Sequence, residues 1–386
     1  MKLVLEQELP CTPEVAWVYV TSPSHLALWS LAAVRPLAVG DGGGMDGVGA
    51  LREVSIQTPV SRTAFTEVIE HAQRPERLVY RVFEGLPVRF HRGELTLRPT
   101  GPEHTLLRWQ VDADFLWPGA EYVARPLLER QLRQSLVQLA RRVRPEPVPP
   151  VTAPRALEEE QLLPSLYSQA SLCLEEQHQT ADELQARGDP KYLFTRVYQY
   201  VTEEQLARCR SGEVTHQGWV LRLIPRFHAY YFDNLRAWQG PHPERTEPAW
   251  AEAFRAMDAS RGQHTFAGLV GGLLLGVKAH VEEDLPRALV EVHQAHYATR
   301  CDFVRFRADY LLMGDLFRRA SDRLLGGFTR GTLPLSIRVL QAVAPDPVRE
   351  AWLSARYYDV RLRRREAFDR AARSLTPAGE ASPRRS

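Results

Sequence analysis

His280 and Asp284 stand four residues apart in the stretch LLLGVKAHVEEDLPRAL, residues 273–289. On a continuous helix that spacing puts both side chains on one face, about 5–6 Å apart at Cβ. A carboxylate so placed can share a metal ion with the imidazole, or orient it for acid–base work. Further donors lie nearby in sequence: His264, His293, His296, Asp302 and Asp309. Imidazole and carboxylate ligands suit zinc, iron or manganese. The candidate catalytic pair is therefore His280 and Asp284, and the candidate metal set is His280, Asp284, His293, His296 and Asp309. A metal-dependent hydrolase is the chemistry such a set would carry. No HExxH is present, and Cys11, Cys173, Cys209 and Cys301 form no CxxC pair. A divalent metal is thus allowed without being required, and no other cofactor is indicated.

A plainer reading competes. Pro286 is best tolerated in the first turn of a helix. Asp284 would then cap that helix, and its charge would suit the N-terminal dipole. His280 would end the preceding helix, and Glu282 and Glu283 would be solvated. On this reading the motif is a corner between two helices.

Elsewhere charge says less. Lysine is confined to Lys2, Lys191 and Lys278, and arginine carries the rest of the positive charge. The formal net charge is +2, so no global field gathers nucleic acid. The end of the chain concentrates Arg361, Arg363, Arg364, Arg365, Arg370 and Arg373. On a helix these spread over several faces, partly offset by Glu366 and Asp369. A solvated helix is expected, with peripheral contact to an anionic membrane or contact to nucleic acid as the alternative. The tail from 376 is expected to be disordered. The N-terminus lacks the apolar core of a signal peptide, and the apolar run Phe266 to Val277 falls short of the roughly 20 residues a bilayer demands. A reduced, cytoplasmic setting fits the scattered cysteines.

The elements that must position these groups fall into two halves. RPEPVPPVTAPR, residues 144–155, holds five prolines and reads as a stiff linker, placed at 144–156. Before it, strand-like alternation dominates. A strand over 3–9 leads to a helix begun by Thr12 and Pro13, then a second short helix from Pro23 to about Trp29. GDGGGMDGVG (40–49) is a glycine-rich turn between strands, without the GK[ST] of a phosphate loop. Strands are predicted at 50–57, 62–72, 76–84, 89–99 and 104–115. In the last, Thr105, Leu107, Trp109, Val111, Ala113 and Phe115 alternate with polar residues. A helix over 119–143 closes the half, with Leu127, Leu128, Leu132, Leu136 and Leu139 on its apolar side.

This order, with TPEVAWVYVTSPSHLALW, RPERLVYRVFEGLPV and HTLLRWQVDADF, resembles the START-related, Bet v 1-like (SRPBCC) superfamily of polyketide cyclase and lipid-transport type over residues 1–143. The resemblance implies an α+β helix-grip domain, a curled antiparallel sheet around a long C-terminal helix, with an internal cavity. It implies an apolar small-molecule ligand of lipid, polyketide or isoprenoid type. Candidate cavity-lining residues are Trp29, Tyr80, Phe90, Trp109, Phe115 and Tyr122, with Tyr80, His91 and Arg92 as the polar groups of interest.

From 157 to 375 helical periodicity prevails, so an all-α domain follows. Helices are expected around Pro164, over 191–210, through WVLRLIPRFHAYYFDNLRAW and EPAWAEAFRAMDAS, and at about 331–343 and 346–375. This half resembles an uncharacterised bacterial all-helical family of unknown function. Carrying the resemblance are Gly188–Asp189, YYFDNLRAW, the 273–289 stretch and Asp309–Tyr310, set against the family pattern N-A-H-I-N-x-D-L-P-x-A-L. Lys278 and Glu282 stand where that family has asparagine, and Met313 where it has a polar residue. Three functions remain open: a ligand-binding protein, an enzyme using His280 and Asp284, and an interaction module without ligand.

Overall fold

In a computed structural model, residues 1–57, 62–144, 148, 157, 159–262, 266–328 and 358–375 are described. Most of the proline-rich linker, His264, the predicted 331–343 helix and the tail from 376 lie outside them. By contacts the chain divides into two compact units. One comprises Met1–Leu157 with Thr299–Leu311, the other Glu158–Ala298 with Leu312–Ser386.

In the first unit, β1 (Lys2–Leu9) is followed by α1 (Pro13–Thr21) and α2 (Pro23–Trp29). Each helix carries its proline in the first turn, where no backbone N–H is needed. Then come β2 (Ala32–Ala38), β3 (Leu51–Gln57), β4 (Arg62–Gln73), β5 (Arg77–Glu84), β6 (Val88–Gly101) and β7 (His104–Phe115). The seven strands form one antiparallel sheet in the order β1-β7-β6-β5-β4-β3-β2. Helix α3 (Ala120–Arg142) closes the domain. The fold is the expected helix-grip type. Inward alternation on β1 buries Leu3, Leu5 and Leu9, and these join Trp17, Trp29, Leu78, Leu107, Leu136 and Leu139 in one core.

The glycine-rich turn serves packing. Gly42 donates its N–H to Asp302 Oδ2 at 2.9 Å, and Asp302 donates its own to Asp41 Oδ1 at 3.1 Å. Arg307 donates to the carbonyls of Val39 and Gly49 at 3.0 and 2.5 Å. Gly49 has φ +85°, and a Cβ there would lie 1.9 Å from the Val304 carbonyl oxygen. Only glycine lets the segment Thr299–Leu311 approach this closely.

Among the described residues the second unit is all-helical: α4 (Leu163–Ala186), α5 (Tyr192–Ser211), α6 (Gln217–Gln239), α7 (Pro248–Ala259), α8 (Phe266–Lys278), α9 (Leu285–His296), α11 (Leu316–Gly326) and α12 (Val360–Leu375), while α10 (Arg307–Leu312) falls almost wholly in the first unit. Trp219, Trp250, Tyr231 and Phe254 are fully buried in its core. Between α8 and α9 the chain does not break. Residues Ala279–Asp284 form a π-helical turn, and Leu285 donates its N–H to the His280 carbonyl five residues back. Pro286 explains the widening. It has no N–H to give, and its ring would crowd the carbonyl four residues earlier in a regular helix.

Candidate functional site

The first unit encloses a cavity of about 130 Å³ between the sheet, α2 and α3. Its walls are mainly apolar, including Leu26, Trp29, Val54, Phe65, Leu95 and Leu132. Trp109 and Tyr80 also line it, so three of the six predicted residues are there. The other three do not line it. Phe90 is 37% exposed and packs under the Arg81 guanidinium, because it shares strand parity with outward Arg92 and not with His91 and Leu95, which line the cavity. Phe115 sits at the strand's end, its carbonyl accepting from Arg89. Tyr122 is 80% exposed at the start of α3, and Leu127 on the same helix is 61% exposed. The apolar stripe of α3 is therefore buried only further along, at Leu136 and Leu139.

The polar end of the cavity is a buried ion pair that the sequence reading overlooked. Arg52 on β3 lies directly across from Glu67 on β4, with Nη2 2.6 Å from Oε1. Both side chains are less than a tenth exposed. Burial raises the Glu67 carboxyl more than the Arg52 guanidinium lowers it. Arg52 Nε and Nη1 have no hydrogen-bond partner. A legible signal existed: Arg52 shares strand parity with inward Val54, and Glu67 with Phe65 and Ile69.

Beside this pair, Tyr80 Oη accepts from Trp109 Nε1 at 3.1 Å. The Tyr80 ring lies over Gly93, its partner on β6, where a Cβ would come within 2.3 Å of the ring. Burial pushes the Tyr80 phenol up. His91 also lines the cavity. Its Nδ1 lacks a partner, and burial pushes its pKa down to about 4, so it is neutral near pH 7. Arg92 faces the other side of the sheet, where with Arg81 it pairs with Glu70.

In the second unit, His280 and Asp284 meet. His280 Nδ1 lies 2.8 Å from Asp284 Oδ2, and both side chains are buried. Asp284 does not cap a helix: its own backbone is helical and its side chain makes no capping bond. Instead Oδ2 also accepts from Trp250 Nε1 at 2.9 Å, and Oδ1 from Arg287 Nη2 at 2.7 Å. An acceptor-only carboxylate fits all three, so His280 Nδ1 is the donor and Nε2 carries the lone pair. Phe227 stacks on the imidazole at 3.5 Å between centroids, and Trp250, Phe194 and Tyr198 surround it. Burial lowers the His280 pKa despite the carboxylate.

The metal set does not assemble. Among the described residues no three His, Cys, Asp or Glu side chains could hold a metal ion together. His293 is buried on α9, His296 is exposed, and Asp309 is buried within the segment that groups with the first unit. Other residues of the family motifs make local contacts. Gly188, at φ +62°, ends α4, and Asp189 accepts from Lys191 and Arg261. Asn234 accepts the Glu247 N–H at 2.7 Å, while Asp233 is exposed beside Arg236. Glu282 accepts from Tyr358 Oη at 3.0 Å and Lys278 is exposed, so neither asparagine replacement lines the cavity beside His280.

These features define a START-like domain joined to an all-helical one. Residues 1–144 match the family model described as polyketide cyclase / dehydrase and lipid transport. A fold of this class suggests small-molecule binding in the N-terminal domain. Residues 173–385 match the family of unknown function DUF5995. That match spans more than half of the chain, and the chain belongs to that family. No curated protein matches it. Among solved structures, a START superfamily protein from Mycobacterium smegmatis is 15% identical over 37% of this chain and 96% of its own, with a TM-score of 0.33. A protein from Thermus thermophilus is 16% identical over 37% and 97%, TM-score 0.31. A norcoclaurine synthase point mutant from Thalictrum, in complex with a transition-state analogue, is 15% identical over 37% and 93%, TM-score 0.31. Among the described residues, no helix is long and apolar enough to cross a membrane.

Proposed function

We propose that the N-terminal domain, residues 1–143, binds a small, largely apolar molecule carrying a carbonyl oxygen, tethered through 144–156 to the helical domain. The observation that carries this reading is Arg52: a buried guanidinium on a cavity wall with two of its nitrogens, Nε and Nη1, unanswered. An unpaired buried donor costs about 1–3 kcal/mol, which an acceptor on the ligand recovers. Glu67 already balances the Arg52 charge, so a neutral carbonyl suits the site better than a second carboxylate. Volume narrows the class further. At about 130 Å³ the cavity is close to the roughly 150 Å³ engineered cavity that holds benzene. A single-ring ketone or a short polyketide-type unit matches it, and a full acyl chain does not. Trp29 and Trp109 supply the aromatic walls, while Tyr80 and His91 orient the polar end.

Acetophenone and ethylbenzene differ by that carbonyl. Calorimetric titration should show the ketone binding at least tenfold tighter, the worth of one hydrogen bond to a charged donor, about 1.5–3 kcal/mol. Equal affinity would remove the basis of the proposal.

A further inference from the structure

The helical unit holds a second cavity, of about 60 Å³, and His280 and Tyr198 both line it. Its other walls are apolar apart from Arg364, with Phe194, Phe227, Val277 and Met313 among them. Two polar atoms are buried here without a partner: His280 Nε2 and Tyr198 Oη. Their residues are 5% and 4% exposed. Native interiors leave few such atoms, so a pair of them beside one cavity calls for an occupant.

The chemistry of the two atoms is complementary. Asp284, held by Trp250 and Arg287, fixes the hydrogen of His280 on Nδ1. Nε2 is therefore a pure acceptor, buried on a residue that lines an apolar space. Tyr198 keeps its proton, because burial raises its pKa well above the ordinary phenol value, and its hydroxyl can donate. An acceptor and a donor on one small cavity match the two sides of a hydroxyl group, which gives one hydrogen and accepts another. A charged ligand would have to shed its hydration against walls that are apolar except at Arg364. The volume is well above the roughly 10–15 Å³ that one water needs and well below the roughly 150 Å³ of a cavity that holds benzene. It admits the hydroxyl end of a short aliphatic chain but no aromatic ring.

We propose that this cavity is a binding site for the hydroxyl end of a small uncharged alcohol, held between His280 Nε2 and Tyr198 Oη. The π turn is what builds it: by widening the helix ahead of Pro286 it presents His280 to the cavity while Asp284 stays on its Nδ1 side. Met313, where the family carries a polar residue, makes this wall apolar. The site is independent of the N-terminal cavity and stands or falls separately.

The test is ¹⁹F NMR titration of the full chain with 3-fluoropropan-1-ol and with its methyl ether, which keeps the oxygen but has no proton to give. The wild-type protein should shift or broaden the alcohol resonance saturably, and the ether at least tenfold more weakly. Tyr198→Phe, which keeps the ring, and His280→Gln should each weaken the alcohol at least tenfold, with folding checked by circular dichroism. An alcohol that does not bind the wild type at all would mean that the cavity holds only water. Equal binding of alcohol and ether, or unchanged binding in Tyr198→Phe, would equally overturn the proposal.

Discussion

His91 shows how one buried side chain writes itself into the pH response of the fold. Its pKa in the folded state is about 4, set by burial and only partly opposed by a backbone hydrogen bond and by Asp112. The unfolded value is near 6.5. Between the two, the unfolded chain binds a proton that the fold refuses, so stability falls as pH drops from 6.5 towards 4. At full extent the loss is about 3 kcal/mol. His71, His228 and His280 shift in the same direction and add to the slope. The His91→Gln variant should flatten the profile in that window without abolishing it, as measured by urea unfolding at pH 4.5 and 7. A profile parallel to the wild type would contradict the burial argument. Asp284 answers to the same logic. Asp284→Ala strips two buried N–H donors, Trp250 Nε1 and His280 Nδ1, of their acceptor, while the partly exposed Arg287 keeps Glu247, and should cost about 2–4 kcal/mol in denaturant unfolding. A loss below about 1 kcal/mol would mean that the network contributes little. At this scale the sequence was half legible. The i,i+4 spacing announced that His280 and Asp284 touch, but the partners that define their role, Trp250, Arg287 and Tyr198, come from other turns and helices. Arg52 and Glu67 were passed over for another reason: their parity with inward Val54, Phe65 and Ile69 was legible, but a charge on a strand reads as solvated until its cross-strand partner is known.

At the level of elements, period was the reliable guide. The alternation in 104–115 set β7 to the residue, and the prolines at 13 and 23 set both short helices. Phe90, predicted to line the cavity, alternates with His91 and Leu95, which do line it. Local irregularity was not visible: Pro286 read as a helix end where the helix widens and continues. A proline removes one hydrogen bond, and tertiary packing decided between a break and a bulge. The sheet carries a further consequence at Gly93. A Cβ there would strike the Tyr80 ring, and forced repacking of this kind costs about 1–3 kcal/mol. Gly93→Ala should therefore destabilise the domain by that amount and weaken ketone binding, whereas in a Tyr80→Ala background the same change should be nearly neutral. A full cost in both backgrounds would place the constraint elsewhere than the ring.

Across the whole molecule, the composition shift at the proline-rich stretch marked two halves, and sequence alone could not show that the chain returns. Thr299–Leu311 follows most of the helical half yet groups with the first unit through Asp302 and Arg307. Long-range pairing of this kind leaves no periodic trace. A fragment of residues 1–157 lacks those contacts, so it should melt several degrees below the ketone-responsive transition of the full chain, a shift of about 4–8 °C for each kcal/mol in a domain of modest size. Identical midpoints in scanning calorimetry would show that the segment adds nothing to the unit. The central claim, that Arg52 anchors a carbonyl ligand, meets its most direct test in the paired substitution Arg52→Met with Glu67→Met. Replacing both partners avoids leaving a lone buried charge. Calorimetric titration of this variant should show acetophenone at least tenfold weaker than in the wild type, with ethylbenzene unchanged or tighter; acetophenone binding with undiminished affinity would contradict the account.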